Sequence, residues 1–136
     1  MKYALDTNIL IHYLRNNQIV HQHFNQTVIG GHSIVVPKVV HYEIQRGFRI
    51  QQAPKKENVY SELVGEAGFC IVDEMDTFCW ERAERVYVEL YRKGFTVGEL
   101  DILIAAMCLE HNLILVTNNT KDFTNIDGMT IEDWTV

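Results

Sequence analysis

Acids and carboxamides gather at four points of this chain, each where an apolar run gives way to a turn or a helix. They are Tyr3-Ala4-Leu5-Asp6-Thr7-Asn8, Glu43, Gly98-Glu99-Leu100-Asp101, and Thr117-Asn118-Asn119-Thr120-Lys121-Asp122-Phe123. Groups so far apart in sequence meet only if the fold brings them together. In an open α/β sheet the carboxyl ends of parallel strands form the crevice where ligands bind, so carboxylates converging there read as a site for a hard cation. Asp6 follows the first strand and is expected to point into that crevice, with Thr7 and Asn8 capping the next helix and hydrogen-bonding its carboxylate. A plain helix cap is the competing account of Asp6. Glu43 falls in a helix beginning at Pro37, on a surface otherwise holding Val40 and Ile44, where a charge is costly unless paired or metal-bound. Asp101 stands in the first turn of a helix whose partial positive charge keeps it ionised. Glu99 fits a cap, a salt-bridge partner or an extra ligand equally well. Thr117, Asn118, Asn119 and Asp122 crowd one loop, where Asn119 suits a water or a phosphate and Asp122 a ligand or a turn cap.

The elements that must position these groups follow from spacing. Lys2 to Leu5 predicts a strand, followed by a helix with Ile9, Leu10, Tyr13 and Leu14 on one face and a break at Asn16-Asn17. A helix over about 18 to 29 carries Val20, Phe24 and Val28, and Gly30-Gly31 ends it. Ser33 to Val36 is a strand, and Pro37 suits the first position of a helix to about 52 that turns Val40, Ile44 and Phe48 inward. Ala53 to Lys56 reads as a connection, and a helix over 57 to 67 places Val59, Leu63 and Ala67 inward. Phe69 to Val72 predicts a third strand. Asp76 caps a helix to about 93, with Cys79, Ala83, Val86, Leu90 and Tyr91 on its core face. The helix opened by Gly98-Glu99 packs through Ile102, Ala105, Ala106 and Leu109. Leu113 to Thr117 is a strand apolar on both faces, and a last strand over 129 to 132 precedes Trp134. Strands alternating with helices predict one domain over residues 1 to 136: an α/β fold, a three-layer α/β/α sandwich with a mainly parallel central sheet of four to five strands.

Composition narrows the function classes. A content of 47% hydrophobic and 22% charged residues is globular, and a formal net charge of −6 argues against holding nucleic acid by overall basicity. Bound divalent cations would reverse the sign of an acidic pocket. Arg46, Arg49, Lys55 and Lys56 offer a local basic strip, for which a solvated helix face is the simpler account. No apolar run approaches the ~20 residues of a membrane span, and Met1-Lys2 leads into a strand rather than a signal peptide, so a soluble, cytoplasmic protein is expected. Cys70, Cys79 and Cys108 lack C-x-x-C spacing and sit in apolar segments, which predicts buried thiols rather than disulfides or a zinc site. The six histidines lack metal-ligand spacing and read as surface or structural. Phe78, Trp80, Tyr87 and Tyr91 on the long helix read as core or subunit interface.

Taken with their order, these segments resemble the PIN-domain family, and within it the VapC-type toxin ribonucleases of prokaryotic toxin–antitoxin pairs. The likeness runs over essentially the full length. It is carried by the strand into Leu5-Asp6-Thr7-Asn8, by Val39 to Glu43, by Val97 to Ala106, by Leu115 to Phe123 and by Ile131-Glu132-Asp133-Trp134. The resemblance implies an acidic triad of Asp6, Glu43 and Asp101, with Asn119 to Asp122 as a variable fourth element in which Asn119 replaces an acid of many relatives. It also implies Mg²⁺ or Mn²⁺ as cofactor, and RNA cleaved by metal-activated water to leave a 5′-phosphate and a 3′-hydroxyl. Thr7 and Asn8 would orient Asp6, and Asn119 a water or the scissile phosphate. The implied partners are a VapB-like antitoxin and a second copy of the chain in a homodimer; Ile9, Tyr13 and Phe24 suit the groove where an antitoxin tail would bind, with ordinary core the simpler account of each. A stand-alone RNA-processing nuclease and a catalytically silent interaction domain are the alternatives; in the latter, three converging acids would repel one another with no cation between them. An aspartyl-nucleophile phosphatase would need an acid at Asn8, and a receiver module an Asp at a middle strand end, for which only Asp73 offers.

Overall fold

The computed structural model describes residues 1–65, 69–73 and 75–136. Five parallel strands form its sheet: β1 (Lys2–Leu5), β2 (Ser33–Pro37), β3 (Phe69–Val72), β4 (Ile114–Val116) and β5 (Ile131–Glu132), in the order β3-β2-β1-β4-β5. Ala4 of β1 stands opposite Val35 on one side and Leu115 on the other, so β1 is central and apolar neighbours enclose it. Strand order reverses between β1 and β4, which opens a crevice at their carboxyl ends. Asp6 and Thr117 are the residues that leave those two ends.

The helices are α1 (Thr7–Leu14), α2 (Gln18–Ile29), α3 (Lys38–Ile50), α4 (Pro54–Val64), α5 (Thr77–Lys93), α6 (Glu99–Glu110) and the short α7 (Thr120–Phe123). They cover the sheet as the α/β/α expectation required. Helix α6 is apolar all round, with Ile102, Ile104, Ala105, Ala106, Met107 and Cys108 buried, as befits a helix enclosed by its neighbours. Asn17 caps α2 by accepting from the N–H groups of Ile19 and Val20, and Gly94 ends α5 in the left-handed region at φ 80°. No helix among the described residues is long and apolar enough to cross a membrane.

Several expectations are corrected. Pro37 closes β2 and is the N-cap of α3 rather than its first residue. Pro54 already lies in α4, so the connection is shorter than its composition suggests. In that helix Tyr60 and Leu63 are buried while Val59 is exposed; Ala67 lies outside the described residues. Tyr91 is exposed, because the inward face of α5 runs through Cys79, Ala83, Val86 and Leu90 and leaves the neighbouring position outside. Phe78, Trp80 and Tyr87 are exposed with it and are not core. Cys70 is exposed on β3, an edge strand, whereas Cys79 and Cys108 are buried as expected. Ile9 and Phe24 are core residues, the simpler of the two accounts given for them.

Candidate active site

Asp6 is the N-cap of α1, with φ −77° and ψ 161°, and is only 5% exposed. Its Oδ1 accepts from the Thr7 N–H at 2.8 Å and its Oδ2 from the Thr117 hydroxyl at 2.8 Å. Both oxygens are therefore fixed by donors from the two strand ends. The capping account of Asp6 holds as far as Oδ1; Oδ2 is held across the crevice by a residue 111 positions away. Thr117 is fully buried, and its hydroxyl also accepts from the Asn119 N–H at 3.0 Å, which ties the β4–α7 loop to Asp6.

Glu43 enters from α3. The Thr7 hydroxyl donates to its Oε1 at 2.5 Å, so Thr7 spends its side chain on Glu43 and only its backbone on Asp6. Asp101, in the first turn of α6, and Asp122, in α7, complete the group. The electrostatics show the convergence. Asp101 is pushed up to about 6 by burial first, then by the charges of Asp6, Glu43 and Asp122. Burial raises Asp6 above the ordinary carboxylate range against the hydrogen bonds of Thr117 and Thr7, and Glu43 and Asp122 add to the rise. Four acids thus sense one another in one pocket, where a hard cation with oxygen ligands would relieve their repulsion.

Asn119 faces this pocket through its acid partner, its Nδ2 donating to Asp122 Oδ2 at 2.7 Å. Replacing Asn119 by alanine is expected to release Asp122 and weaken binding of a divalent cation at this pocket about tenfold, the low end for a group that orients a ligand. Mn²⁺ titrations of variant and parent check this. The other expected supports stand apart. Asn8 is exposed and makes no side-chain hydrogen bond to Asp6. Asn118 is exposed and reaches His12 Nε2 at 3.4 Å. Glu99 is exposed and borders a separate recess with Tyr87, Leu90, Phe95 and Val97.

Beside Glu43 opens a groove of about 250 Å³ between α1, α3 and α4. Ile11, Leu14, Ile44, Phe48 and Val59 form apolar walls, and Arg15, Lys55 and Lys56 supply positive charge. Of the residues suggested for a groove, Tyr13 borders a smaller recess with Asn16, His21 and Leu63. Arg15 carries no motif in the sequence; its place in the groove follows from its position at the C-cap of α1. Of the basic strip, Arg49 lies 4.0 Å from Glu57 and Arg46 stacks 5.1 Å from the Tyr42 ring centre, so only Lys55 and Lys56 reach the groove.

A family model described as PIN domain matches residues 3–129. Ribonuclease VapC2 of Rickettsia felis is 28% identical over 134 residues, 98% of each chain. The tRNA(fMet)-specific endonuclease VapC of Shigella flexneri is 30% identical over 135 residues, again 98% of each chain. Among solved structures, the DNA-bound VapBC of Salmonella typhimurium superimposes with a TM-score of 0.86 at 29% identity over 98% of each chain.

Proposed function

Because the chain belongs to the PIN-domain family, and within it to the VapC proteins, we propose that it is an endoribonuclease acting as the toxin of a toxin–antitoxin pair. The observation that carries the reading is geometric: Asp6 is held across the crevice by Thr117 from β4 and joined through Thr7 to Glu43 of α3, with Asp101 half-buried and close enough to feel the charge of both acids. Structural acids that merely cap helices have no reason to converge in this way.

The donor set fits Mg²⁺ or Mn²⁺, since Asp6, Glu43 and Asp101 offer only carboxylate oxygens, with Asp122 as a fourth. When bound, such an ion supplies Lewis acidity and an activated water for in-line attack on a phosphodiester. The chain's own residues do the positioning. Thr117 and the Thr7 N–H fix the two oxygens of Asp6, the Thr7 hydroxyl fixes Glu43, and Asn119 fixes Asp122. Arg15, Lys55 and Lys56 offset the net negative charge where the RNA backbone approaches. The products are a 5′-phosphate and a 3′-hydroxyl, and no side-chain nucleophile is needed.

The partner in this reading is a VapB-like antitoxin, supported by the VapBC assembly of the Salmonella typhimurium relative. Its docking segment suits the apolar groove between α1, α3 and α4. A homodimer would cover the exposed Phe78, Trp80, Tyr87 and Tyr91 of α5. The reading takes residues 1–136 as one PIN domain at work in the cytoplasm.

The test is cleavage of single-stranded RNA by the purified chain in Mg²⁺ and in excess EDTA. Cleavage in Mg²⁺ that leaves 5′-phosphate ends, stops on chelation and returns with added Mg²⁺ is the expected result. Cleavage undiminished by EDTA, or none with either Mg²⁺ or Mn²⁺, contradicts it.

A further inference from the structure

At the opposite end of α6 from Asp101 lies a group of a different chemistry. His111 caps the C-terminus of α6, ten residues beyond Asp101 and so ~15 Å along the helix axis. Facing it is the N-terminus of α5, with Asp76 as its cap and Cys79 one turn in. The fully buried Cys79 places Sγ 3.3 Å from His111 Nε2, and Asp76 Oδ2 lies 3.9 Å from the same nitrogen. Asp76 Oδ1 accepts from the Cys79 N–H at 2.9 Å, which fixes the carboxylate beside the sulfur. One ligand atom from each of the three residues falls within 4.8 Å of the others.

We propose that Asp76, Cys79 and His111 form a second metal site, for a zinc-class cation, separate from the acid pocket. The donor chemistry selects the ion. Sulfur, imidazole nitrogen and one carboxylate oxygen suit Zn²⁺ and its Co²⁺ surrogate, whereas Mg²⁺ requires an oxygen shell and is refused. The spacing suits it as well. Around tetrahedral zinc, with bonds of about 2.3 Å to sulfur and about 2.0–2.1 Å to nitrogen or oxygen, neighbouring ligand atoms sit roughly 3.3–3.6 Å apart. The sulfur–nitrogen distance already lies there, and small side-chain rotations of the partly exposed Asp76 and His111 close the rest. Water takes the fourth position, reached past those two residues, and the thiol proton leaves to solvent on binding. A metal here joins the start of α5 to the end of α6, beside the 2.9 Å Arg82–Glu110 ion pair that also links them. It therefore braces the helix that carries Asp101.

The site is tested by titrating the metal-stripped full chain with Co²⁺ in excess Mg²⁺, following the thiolate-to-cobalt charge-transfer absorption in the near ultraviolet. One equivalent is expected to bind, to be displaced by Zn²⁺, and to raise the melting temperature. Cys79→Ser abolishes the band, His111→Gln weakens Co²⁺ binding at least tenfold, and Asp6→Asn in the acid pocket leaves both unchanged. If buried Cys79→Ser does not fold, His111→Gln at the helix end carries the same decision. No band in the parent chain, a band that survives Cys79→Ser, or unchanged affinity in His111→Gln overturns the site, and Cys79 and His111 are then a thiol–imidazole hydrogen bond only. RNA cleavage does not enter the readout, so failure here leaves the nuclease reading to its own test.

Discussion

Replacing Asp101 by asparagine is expected to lower RNA cleavage roughly a thousandfold while making the metal-free protein more stable. In the proposed reaction, the first effect is the loss of one ionised ligand from a cation that would stabilise transition-state charge by several kcal/mol, at about 1.4 kcal/mol per tenfold. The second follows from the same carboxylate. Its folded-state value of about 6 stands above the 3.8 of an ordinary aspartate, because burial and then Asp6, Glu43 and Asp122 resist its charge. The native state therefore holds the Asp101 proton more tightly than the unfolded state. The stability this provides is complete below about pH 4 and is lost as the pH rises through 6. Asparagine carries no charge at any pH, so the gain over the parent chain is largest at pH 8 and shrinks at pH 5. Taking the difference between variant and parent removes the opposing contribution of His41, whose value is lowered by burial and Lys38. Thermal melts in EDTA at the two pH values check this. Equal or negative differences at both, or activity retained with Mg²⁺, contradict the placement of Asp101 among the acids.

Thr117→Val is the sharper test of how the pocket is held. Valine matches the shape of threonine but offers Asp6 Oδ2 no donor and the Asn119 N–H no acceptor. A buried carboxylate oxygen and a loop amide lose their partners, which costs about 1–3 kcal/mol in the folded state. Asp6 is also expected to rise further, since the Thr117 bond is the strongest influence holding it down. Activity should fall 10- to 100-fold, the range seen when a group orienting a metal ligand is removed, with more Mg²⁺ needed for half-maximal rate. Thr117→Ser keeps the hydroxyl and should recover most of both losses. Denaturant midpoints and Mg²⁺ titrations of the rate separate stability from positioning. A valine variant that matches the parent in both would remove Thr117 from the account.

Much of the fold is legible because its boundaries carry local chemistry. Helix α2 runs over the predicted 18–29 because Asn17 and Gly30 bracket Val20 and Phe24, an apolar series spaced by four. Helix α4 is bracketed by Pro54 and Gly65 rather than running over the expected 57–67, and Tyr60 faces inward in place of Val59, its hydroxyl 2.8 Å from His41 Nδ1 on another helix. Hydropathy ranks valine above tyrosine and has no access to that bond. The positions of the pocket residues are legible for a similar reason: Asp6 and Thr117 follow strand ends, and Asp101 lies at a helix start. The wiring is not. That Thr7 serves Glu43 depends on the approach of α3, 36 residues on. The Asp76, Cys79 and His111 group was also hidden, since a pair three apart on one helix says nothing of the imidazole that another helix brings to it.

The claim under all of this is that the four acids hold a hard cation in common. Mn²⁺ binding, followed by the loss of the free-ion electron paramagnetic resonance signal, tests it most directly. The parent chain should bind Mn²⁺ and release it to Mg²⁺, and an Asp6→Asn, Asp101→Asn double variant that folds normally should bind none in that range. Mn²⁺ held equally by the double variant, or not at all by the parent, would contradict it.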